Sequence, residues 1–214
     1  MNAPAPRFLV VEGPIGVGKT SLARRIAQAY GTELLLERAE ENPFLERFYR
    51  DPRHFALPTQ LYFLFQRARQ LAALRQSDLF APVRVADFLL EKDRLFAQLN
   101  LADDELALYE QAYHALSLDA PAPDLVVYLQ APVDALMKRV QKRALAAEQP
   151  ITYEYLSKVA DSYMRFFHHY DRAPLLIVNA SDINPVESDA DFKMLMQQIE
   201  KVRGGRHYFN PAAR

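Results

Sequence analysis

The segment GPIGVGKT, residues 13–20, combines glycines, a lysine and a hydroxyl at the spacing G-x-x-x-x-G-K-[ST]. Glycines let successive backbone N–H groups turn towards one point and form an anion-binding concavity, and a following helix directs its positive end there. Lys19 adds a charge for the outer phosphates, and the Thr20 hydroxyl suits Mg²⁺. The segment therefore predicts binding of a nucleoside triphosphate. The predicted nucleotide-binding residues are Gly13, Pro14, Ile15, Gly16, Val17, Gly18, Lys19 and Thr20.

Two carboxylates end strand-like segments further along the chain. Glu37 closes the run TELLLE, and Asp87 follows the run VRVA. Because the carboxyl ends of parallel strands line the ligand crevice, Glu37 near a γ-phosphate could accept the proton of an attacking hydroxyl. Its position alone is equally consistent with a glutamate that faces solvent. Asp87 fits a metal-positioning carboxylate beside the phosphate loop.

Two helical faces carry polar groups whose interpretation depends on their surroundings. Gln60, Leu64 and Arg67 share one face at i, i+4 and i+7, which favours either a base-reading surface or a solvated stripe. Arg139 and Arg143 share a second, strongly basic face at i and i+4. Such a face is ordinarily solvated surface. Beside a phosphate loop, it favours a lid that contacts the phosphates.

Short apolar runs alternate with longer amphipathic ones. The runs at 7–12, 32–37, 83–88, 124–130 and 174–179 are nearly continuous in apolar residues, typical of strands covered on both faces of a parallel sheet. This order predicts one three-layer α/β domain over residues 1–214, with a five-stranded parallel sheet and helices on both faces. The tail RHYFNPAAR is either an ordered strap or a frayed end. Helical patterns occupy about 18–30, 42–75 with breaks at Pro52 and near Pro58, 91–117 in two pieces, 132–147, 153–171 and 189–203, the last closing on Gly204–Gly205.

Composition limits the class of protein. The 214 residues carry a formal net charge of −1, which provides no global positive field for nucleic acid or an anionic membrane. The chain has no cysteine, which excludes disulfides, thiolate metal sites and a thiol nucleophile. The start MNAPAPRF lacks the pattern of a signal peptide, and no apolar run reaches the length of a membrane span. We therefore expect a cytoplasmic protein.

Five features occur in an order that matches one known family. They are VEGPIGVGKTSLA, the glutamate after the second strand, FYRDPRHFALPTQ, the acidic residue that closes the third strand, and KRVQKRALAAEQPITYEYL. Over about residues 7–180 the chain resembles the deoxynucleoside kinases, and most of all the bacterial deoxyadenosine/deoxyguanosine kinases. The resemblance implies a P-loop kinase fold with a helical lid at about residues 138–150.

The same resemblance implies an activity and an assembly. The reaction would transfer the γ-phosphoryl of ATP, with Mg²⁺, to the 5′-hydroxyl of a 2′-deoxynucleoside, with deoxyadenosine or another deoxypurine favoured. A homodimer would form through long helices such as 53–75 and 102–117. Glu37 matches the general base, and Asp87 matches the acidic residue near Mg²⁺, together with Thr20. The residues that would stabilise charge on the transferring group are Lys19, Arg139 and Arg143.

The resemblance also assigns residues to the deoxynucleoside. Tyr49 and Glu148 match the residues that hydrogen-bond the 3′-hydroxyl. Gln60 matches the glutamine that makes paired hydrogen bonds to the base. Arg67 and Asp93 match an arginine–aspartate pair of the members that accept purines and deoxycytidine.

One departure from the family pattern concerns the end of the third strand. The family has an arginine directly after the acidic residue, whereas this chain has Phe88 after Asp87. Lys92 or Arg94 could replace that charge, and the sequence leaves both possibilities open. A further lid arginine is replaced by Leu145.

Two aromatic or imidazole-rich groups are assigned structural roles. His168 and His169 are interpreted as a polar helix end rather than metal ligands, since no second pair lies at ligand spacing. The aromatic set is interpreted as helix packing rather than as a stacking platform. It comprises Tyr155, Tyr163, Phe166 and Phe167.

Two rival functions remain at this point. A nucleoside monophosphate kinase of thymidylate-kinase type would need an arginine for the acceptor's own phosphate, conventionally at the position of Phe88. A non-catalytic nucleotide-binding subunit on the same fold is conceivable because of that substitution. The intact Lys19, Thr20 and Glu37 argue against it.

Overall fold

The computed structural model describes residues 8–76, 84–116, 121–181 and 183–210. Within these ranges, strands alternate with helices as the sequence predicts. The strands are β1 (Phe8–Glu12), β2 (Glu33–Leu35), β3 (Arg84–Ala86), β4 (Leu125–Gln130), β5 (Leu175–Asn179) and β6 (Arg206–Phe209). The helices are α1 (Lys19–Tyr30), α2 (Leu45–Arg50), α3 (Pro52–Gln76), α4 (Lys92–Asn100), α5 (Asp103–Ala115), α6 (Val133–Arg143), α7 (Tyr153–His169) and α8 (Asp189–Ile199), with 3₁₀ turns at Ala39–Glu41 and Ala146–Glu148.

The described strands form one parallel sheet in the order β2-β3-β1-β4-β5-β6. β1 pairs with β3 on one side, where Leu9 lies opposite Val85, and with β4 on the other, where Leu9 lies opposite Leu125. Leu9, Val10 and Val11 are fully buried because helices cover both faces of the sheet. This confirms the predicted α/β fold with a parallel sheet.

Two apolar clusters occupy the two faces of the sheet. One contains residues of α1, α6 and α8, including Leu22, Leu136 and Leu195. The other contains residues of α4 and α7, including Leu95 and Phe167. In the described ranges, no helix has the length and apolar character that crossing a membrane requires.

The prediction of five strands is wrong, since the described residues contain six. β6, in the tail, pairs in parallel with β5, and Ile177 lies opposite Tyr208. The strand is short and at the sheet edge, and Tyr208 is 72% exposed, so it lacks the continuous apolar run of a doubly covered strand. The ordered-strap alternative is therefore correct for residues 206–210, while residues 211–214 and residues 1–7 lie outside the described ranges.

Helix boundaries differ from the predictions at four places. The predicted break at Pro52 occurs, but α3 continues through Pro58, although proline cannot donate the usual backbone bond at that position. Residues 42–44, where a helix start was predicted, instead form a turn between the 3₁₀ turn Ala39–Glu41 and α2, which begins at Leu45. α6 ends at Arg143, before the predicted residue 147, because Ala144 takes a left-handed conformation with φ 51°. α8 ends at Ile199, so Gly204–Gly205 lead into β6 instead of closing the helix.

Candidate active site

A cavity lies where β1, β2 and β3 end, which is where ligands bind in open parallel sheets. Its lining combines the phosphate loop, the end of β2, helices α2 and α3, and the segment after α6. Of the predicted site residues in the described ranges, Gly13, Pro14, Val17, Asp93 and Arg139 lie outside this lining. The predicted residues that line it are Ile15, Gly16, Gly18, Lys19, Thr20, Glu37, Tyr49, Gln60, Arg67, Asp87, Arg143 and Glu148.

The phosphate loop connects β1 to α1 and packs tightly on the structure beneath it. Gly13 and Gly16 have φ values of +151° and +84°, which favour glycine. A Cβ at Gly13 would lie 2.5 Å from the Leu129 carbonyl oxygen, and one at Gly16 would lie 2.7 Å from that of Leu136. No described side chain caps the start of α1, so its first N–H groups can bind an anion.

Lys19 lies in the first turn of α1, inside the cavity. Its Nζ donates to the Pro14 carbonyl oxygen at 3.3 Å. Burial, together with the neighbouring Lys92 charge, lowers the pKa of Lys19, although nearby carboxylates such as Glu37 oppose this. A phosphate beside Nζ would add further negative charge and favour the ammonium form.

The Glu37 carboxylate lines the cavity and lies between two cations. Its Oε1 accepts from the Arg67 guanidinium, and its Oε2 accepts from Lys92 Nζ at 2.8 Å. Burial on its own would raise the pKa of Glu37, but the Arg67 and Lys92 charges outweigh it and lower that pKa to about 2. Glu37 is therefore ionised at neutral pH.

Asp87 and Thr20 bring two hard oxygen ligands together beside the phosphate loop. The Thr20 hydroxyl donates to Asp87 Oδ2 at 2.5 Å, and Asp87 Oδ1 accepts from the Glu37 backbone N–H at 2.7 Å. Burial raises the pKa of Asp87, against the effect of these hydrogen bonds. A bound cation would compensate the desolvated carboxylate. Mg²⁺ in phosphate sites takes one or two protein oxygens and completes its shell with phosphates and water, so these residues fit it.

The end of the cavity beyond Glu37 is lined by aromatic rings and two polar side chains of α3. Gln60 and Arg67 are both 3% exposed, although they carry polar groups. The Arg67 guanidinium lies 5.3 Å from the Phe63 ring centre, and Phe96 contributes a further wall. Flat apolar walls with a few fixed donors and acceptors suit a planar heterocycle.

Asp93 supports Arg67 from behind the cavity wall. Asp93 is fully buried, and its Oδ1 lies 2.7 Å from Arg67 Nη1. Burial raises the pKa of Asp93 to about 6, although the Arg67 charge opposes the shift. Arg67 therefore bridges two carboxylates, Asp93 on one side and Glu37 on the other.

The remaining wall joins α2 to the segment after α6. Tyr49 packs edge-on against Tyr155, with the ring centres 5.9 Å apart, and burial raises the pKa of Tyr49 well above its usual value. Arg143 Nε donates to Glu148 Oε2 at 3.1 Å across the turn that follows α6. The predicted sugar-binding side chains Tyr49 and Glu148 and the lid residue Arg143 therefore line the same cavity as the phosphate loop and Glu37.

Arg139 lies on the other side of the phosphate loop. It donates to the carbonyl oxygens of Val17 at 3.3 Å and Ala180 at 2.9 Å. A second cavity adjoins it between the loop and the segment after β5, which Arg25 fixes by donating to the Pro185 carbonyl oxygen at 3.1 Å. Apart from the phosphate loop, Arg139 and Arg143, the residues that line this cavity were not predicted from the sequence. Its lining includes Gly18, Ser21, Arg139, Lys142, Asn184 and Val186.

Sequence reasoning missed several side chains of the first cavity. Tyr155 and Tyr163 do pack between helices, as expected, but both also line the cavity. Of the two candidates for the displaced positive charge, Lys92 lies in the cavity. Arg94 instead pairs with Glu110 at 2.9 Å in a separate surface groove. Whether Lys92 or Arg94 faces the cavity depends on the rotation of α4 about its axis, and the apolar pattern of the sequence does not determine that rotation.

A parallel sheet with a phosphate loop at its central strand, and a carboxylate beside that loop, is the architecture of a P-loop phosphotransferase. Family comparison specifies it further, because the family description "Deoxynucleoside kinase" matches residues 9–203. The chain belongs to the deoxynucleoside kinase family, which confirms the resemblance found in the sequence.

Individual relatives cover nearly the whole chain. A deoxyguanosine kinase of Bacillus subtilis is 30% identical over 203 residues, which are 91% of this chain and 97% of the relative. A deoxyadenosine kinase of Lactobacillus acidophilus is 28% identical over 92% of this chain and 97% of the relative. A solved structure of an M. mycoides deoxyadenosine kinase, with dCMP and dCDP bound, superposes with a TM-score of 0.78 at 25% identity, covering 90% of this chain and 98% of that one.

Proposed function

We propose that this chain transfers the γ-phosphoryl group of ATP to the 5′-hydroxyl of a 2′-deoxynucleoside. The observation that carries the proposal is the position of Glu37, an ionised carboxylate that lies between the phosphate loop and the aromatic end of the cavity. A hydroxyl placed there has a base on one side and a bound triphosphate on the other. The test is phosphoryl transfer by the purified protein to a panel of nucleosides and nucleoside monophosphates.

The transfer needs one base and a site that stabilises the negative charge that develops on the transferring phosphoryl group. The 5′-oxygen forms a bond to the γ-phosphorus, its proton passes to Glu37, and the bond from that phosphorus to the β–γ bridging oxygen breaks. ADP leaves with the electron pair of the broken bond. Because the protein forms no covalent bond, its contribution is to position the groups and to stabilise charge.

We assign charge stabilisation to the phosphate loop and the basic residues around it. Lys19 and the α1 N-terminus hold the outer phosphates, and Arg143 approaches from the lid, taken as residues 138–150 of the single domain. Arg139 lies nearer the donor nucleotide and closes the second cavity, which suits the base of ATP. Thr20 and Asp87 would hold Mg²⁺, which neutralises phosphate charge when bound.

We assign the acceptor to the remaining walls. Tyr49 and Glu148 both line the cavity, and their phenol and carboxylate would hydrogen-bond the 3′-hydroxyl of the sugar. Gln60, which can donate and accept at once, would pair with the base edge. Arg67 would donate to the base, and Asp93, which lies behind Arg67 and outside the cavity lining in this structure, would fix the direction of that donation and would accept from an exocyclic amine once the base displaces Arg67.

The Arg67–Asp93 pair predicts discrimination between bases. Adenine, guanine and cytosine offer ring acceptors, and adenine and cytosine add an amine for the carboxylate. Thymine presents a carbonyl where that amine would lie and adds a methyl group, so a buried charged group would lose its partner. Sites built around such a bond reject the wrong ligand by orders of magnitude. We expect deoxyadenosine first, deoxyguanosine or deoxycytidine next, and thymidine at least about 100-fold lower in kcat/KM.

Competition between deoxynucleosides at limiting ATP measures this ranking. Arg94→Met provides a matched control, since it removes an arginine of α4 outside the cavity and should leave the ranking unchanged. Thymidine that competed as well as deoxyadenosine would exclude the assignment of Arg67 and Asp93 to base recognition.

We further propose that the protein is a cytoplasmic homodimer joined through α3 and α5. These helices pack on each other through Leu64 and Tyr109, while Phe65 and Leu108 are 47% and 51% exposed. Sedimentation equilibrium should give twice the monomer mass, and Phe65→Glu with Leu108→Glu should give the monomer. Tyr208→Ser, which removes an exposed ring on β6, should leave the mass unchanged. A wild-type monomer would refute this assembly.

A further inference from the structure

Lys92 is the second ammonium group in the cavity, besides that of Lys19. It opens α4, immediately after the segment that follows β3, and its side chain is 4% exposed. Its Nζ lies 2.8 Å from Glu37 Oε2 and 3.4 Å from Glu12 Oε1. Lys92 therefore contacts two carboxylates from two different strand ends, Glu12 and Glu37, and Glu37 is the proposed base.

The Lys92 charge is maintained despite its burial. Removal from water alone would lower the pKa of Lys92, but Glu12 and Glu37 outweigh that effect and raise it. A buried ammonium has a high desolvation cost and is retained where anions compensate it. Lys92 is thus a permanent cation at neutral pH.

Neutralisation of Glu12 alone does not explain why a lysine is buried at position 92. Glu12 accepts three hydrogen bonds without it: from the backbone N–H groups of Gly13 at 3.0 Å and Leu89 at 2.8 Å, and from the Tyr163 hydroxyl at 3.1 Å. The closer contact of Lys92 is with Glu37. An ammonium has three donors, and these two carboxylates use at most two of them. One donor is left for an oxygen bound next to Glu37.

Position 88, by contrast, cannot supply a charge. Phe88 is 4% exposed and belongs to the apolar cluster on the α4 and α7 face of the sheet. Of the other cations in the described cavity lining, Arg143 lies in the lid and pairs with Glu148, Arg67 lies at the base end and Lys19 lies in the phosphate loop. Lys92 lies between Arg67 and Lys19, beside the Glu37 carboxylate.

We propose that Lys92 is a catalytic residue for phosphoryl transfer, which orients Glu37 through Oε2 and donates its remaining N–H to the accepting 5′-oxygen. This rests on the proposed function. As the 5′-oxygen gives its proton to Glu37 and bonds to phosphorus, charge moves across the oxygens that Lys92 contacts. A fixed cation stabilises that charge more strongly in a site that excludes water.

The test compares variants that separate this role from neutralisation of Glu12. Lys92→Met keeps the approximate volume and removes the charge. We expect a 10²–10³-fold lower kcat, by analogy with removal of one fixed donor, with dissociation constants for ATP and deoxynucleoside changed far less. Lys92→Arg keeps charge and donors and should recover part of the lost kcat. Arg94→Met is the matched control.

A double variant decides between the two roles. Glu12→Gln with Lys92→Met removes both buried charges together, so it provides a folded background if Lys92→Met alone proves unstable. We expect its melting temperature to exceed that of Lys92→Met, while its kcat stays at least about 100-fold below that of Glu12→Gln alone, which reports the effect of Glu12 by itself. Recovery of kcat in the double variant would make Lys92 a counterion of Glu12 and overturn the inference.

The wild-type protein distinguishes this failure from failure of the proposed function. If the wild type transfers phosphoryl to no deoxynucleoside, the proposed function is wrong. If the wild type is active and Lys92→Met retains its kcat, only the role of Lys92 is wrong.

Discussion

Lys19→Ala should lower kcat by about 10³-fold and leave the fold intact. The side chain lies in the first turn of α1, inside the cavity, and its Nζ makes one weak hydrogen bond of 3.3 Å with the phosphate loop itself. Its removal therefore costs little packing but takes a positive charge away from the γ-phosphate. Charge that is fixed before the reaction contributes more in a desolvated site than in water.

Turnover with saturating ATP and deoxyadenosine measures this effect, and circular dichroism checks the fold. Lys158→Ala is the matched control, because Lys158 lies on the surface of α7 and pairs only with Glu154 in the described structure. It should behave as wild type. Turnover close to normal in Lys19→Ala would mean that the phosphate loop does not serve phosphoryl transfer.

Glu37→Gln should lower kcat by about 10²–10⁴-fold with a much smaller change in nucleoside affinity. Glutamine preserves the size and can still accept from Lys92 or Arg67, but it cannot take a proton from the 5′-hydroxyl. With its pKa lowered to about 2, Glu37 is a weak base in the empty site. Transfer therefore requires that substrate binding draws Arg67 partly away from it.

Single-turnover rates and direct binding measurements separate the two contributions of Glu37. Glu41→Gln is a suitable control, since Glu41 lies on the neighbouring 3₁₀ turn outside the cavity lining and is paired with Arg38 at the surface. If binding collapsed in Glu37→Gln while the residual rate stayed high, Glu37 would position the substrate rather than act as its base.

The sequence was informative where function depends on a local pattern. The phosphate loop, its flanking strand and helix, and the carboxylates that end β2 and β3 all follow from runs of adjacent residues. Parallel topology then brings Lys19, Glu37 and Asp87 to one edge of the sheet. Tyr49 and Glu148 carry no local signal of their own, and only the family resemblance identified them.

What could not be predicted depends on helix phase and long-range packing. Lys92 and Asp93 are adjacent in sequence, yet Lys92 lines the cavity while Asp93 lies behind Arg67. Apolar periodicity does not indicate which polar neighbour faces a ligand. β6 was missed because an exposed edge strand has no continuous apolar run. α3 passes Pro58 because tertiary packing outweighs the loss of one backbone hydrogen bond.

The most direct test of the proposed activity is to follow a labelled γ-phosphoryl group from ATP with the wild-type protein. Deoxyadenosine, deoxyadenosine monophosphate and a sample without acceptor are run in parallel, and the products are identified by mass and by cleavage with a 5′-nucleotidase. We predict label in deoxyadenosine 5′-monophosphate, with little in a diphosphate and little as free phosphate. Label that appeared only in the diphosphate, or only as free phosphate, would contradict a Glu37-assisted transfer to the 5′-hydroxyl.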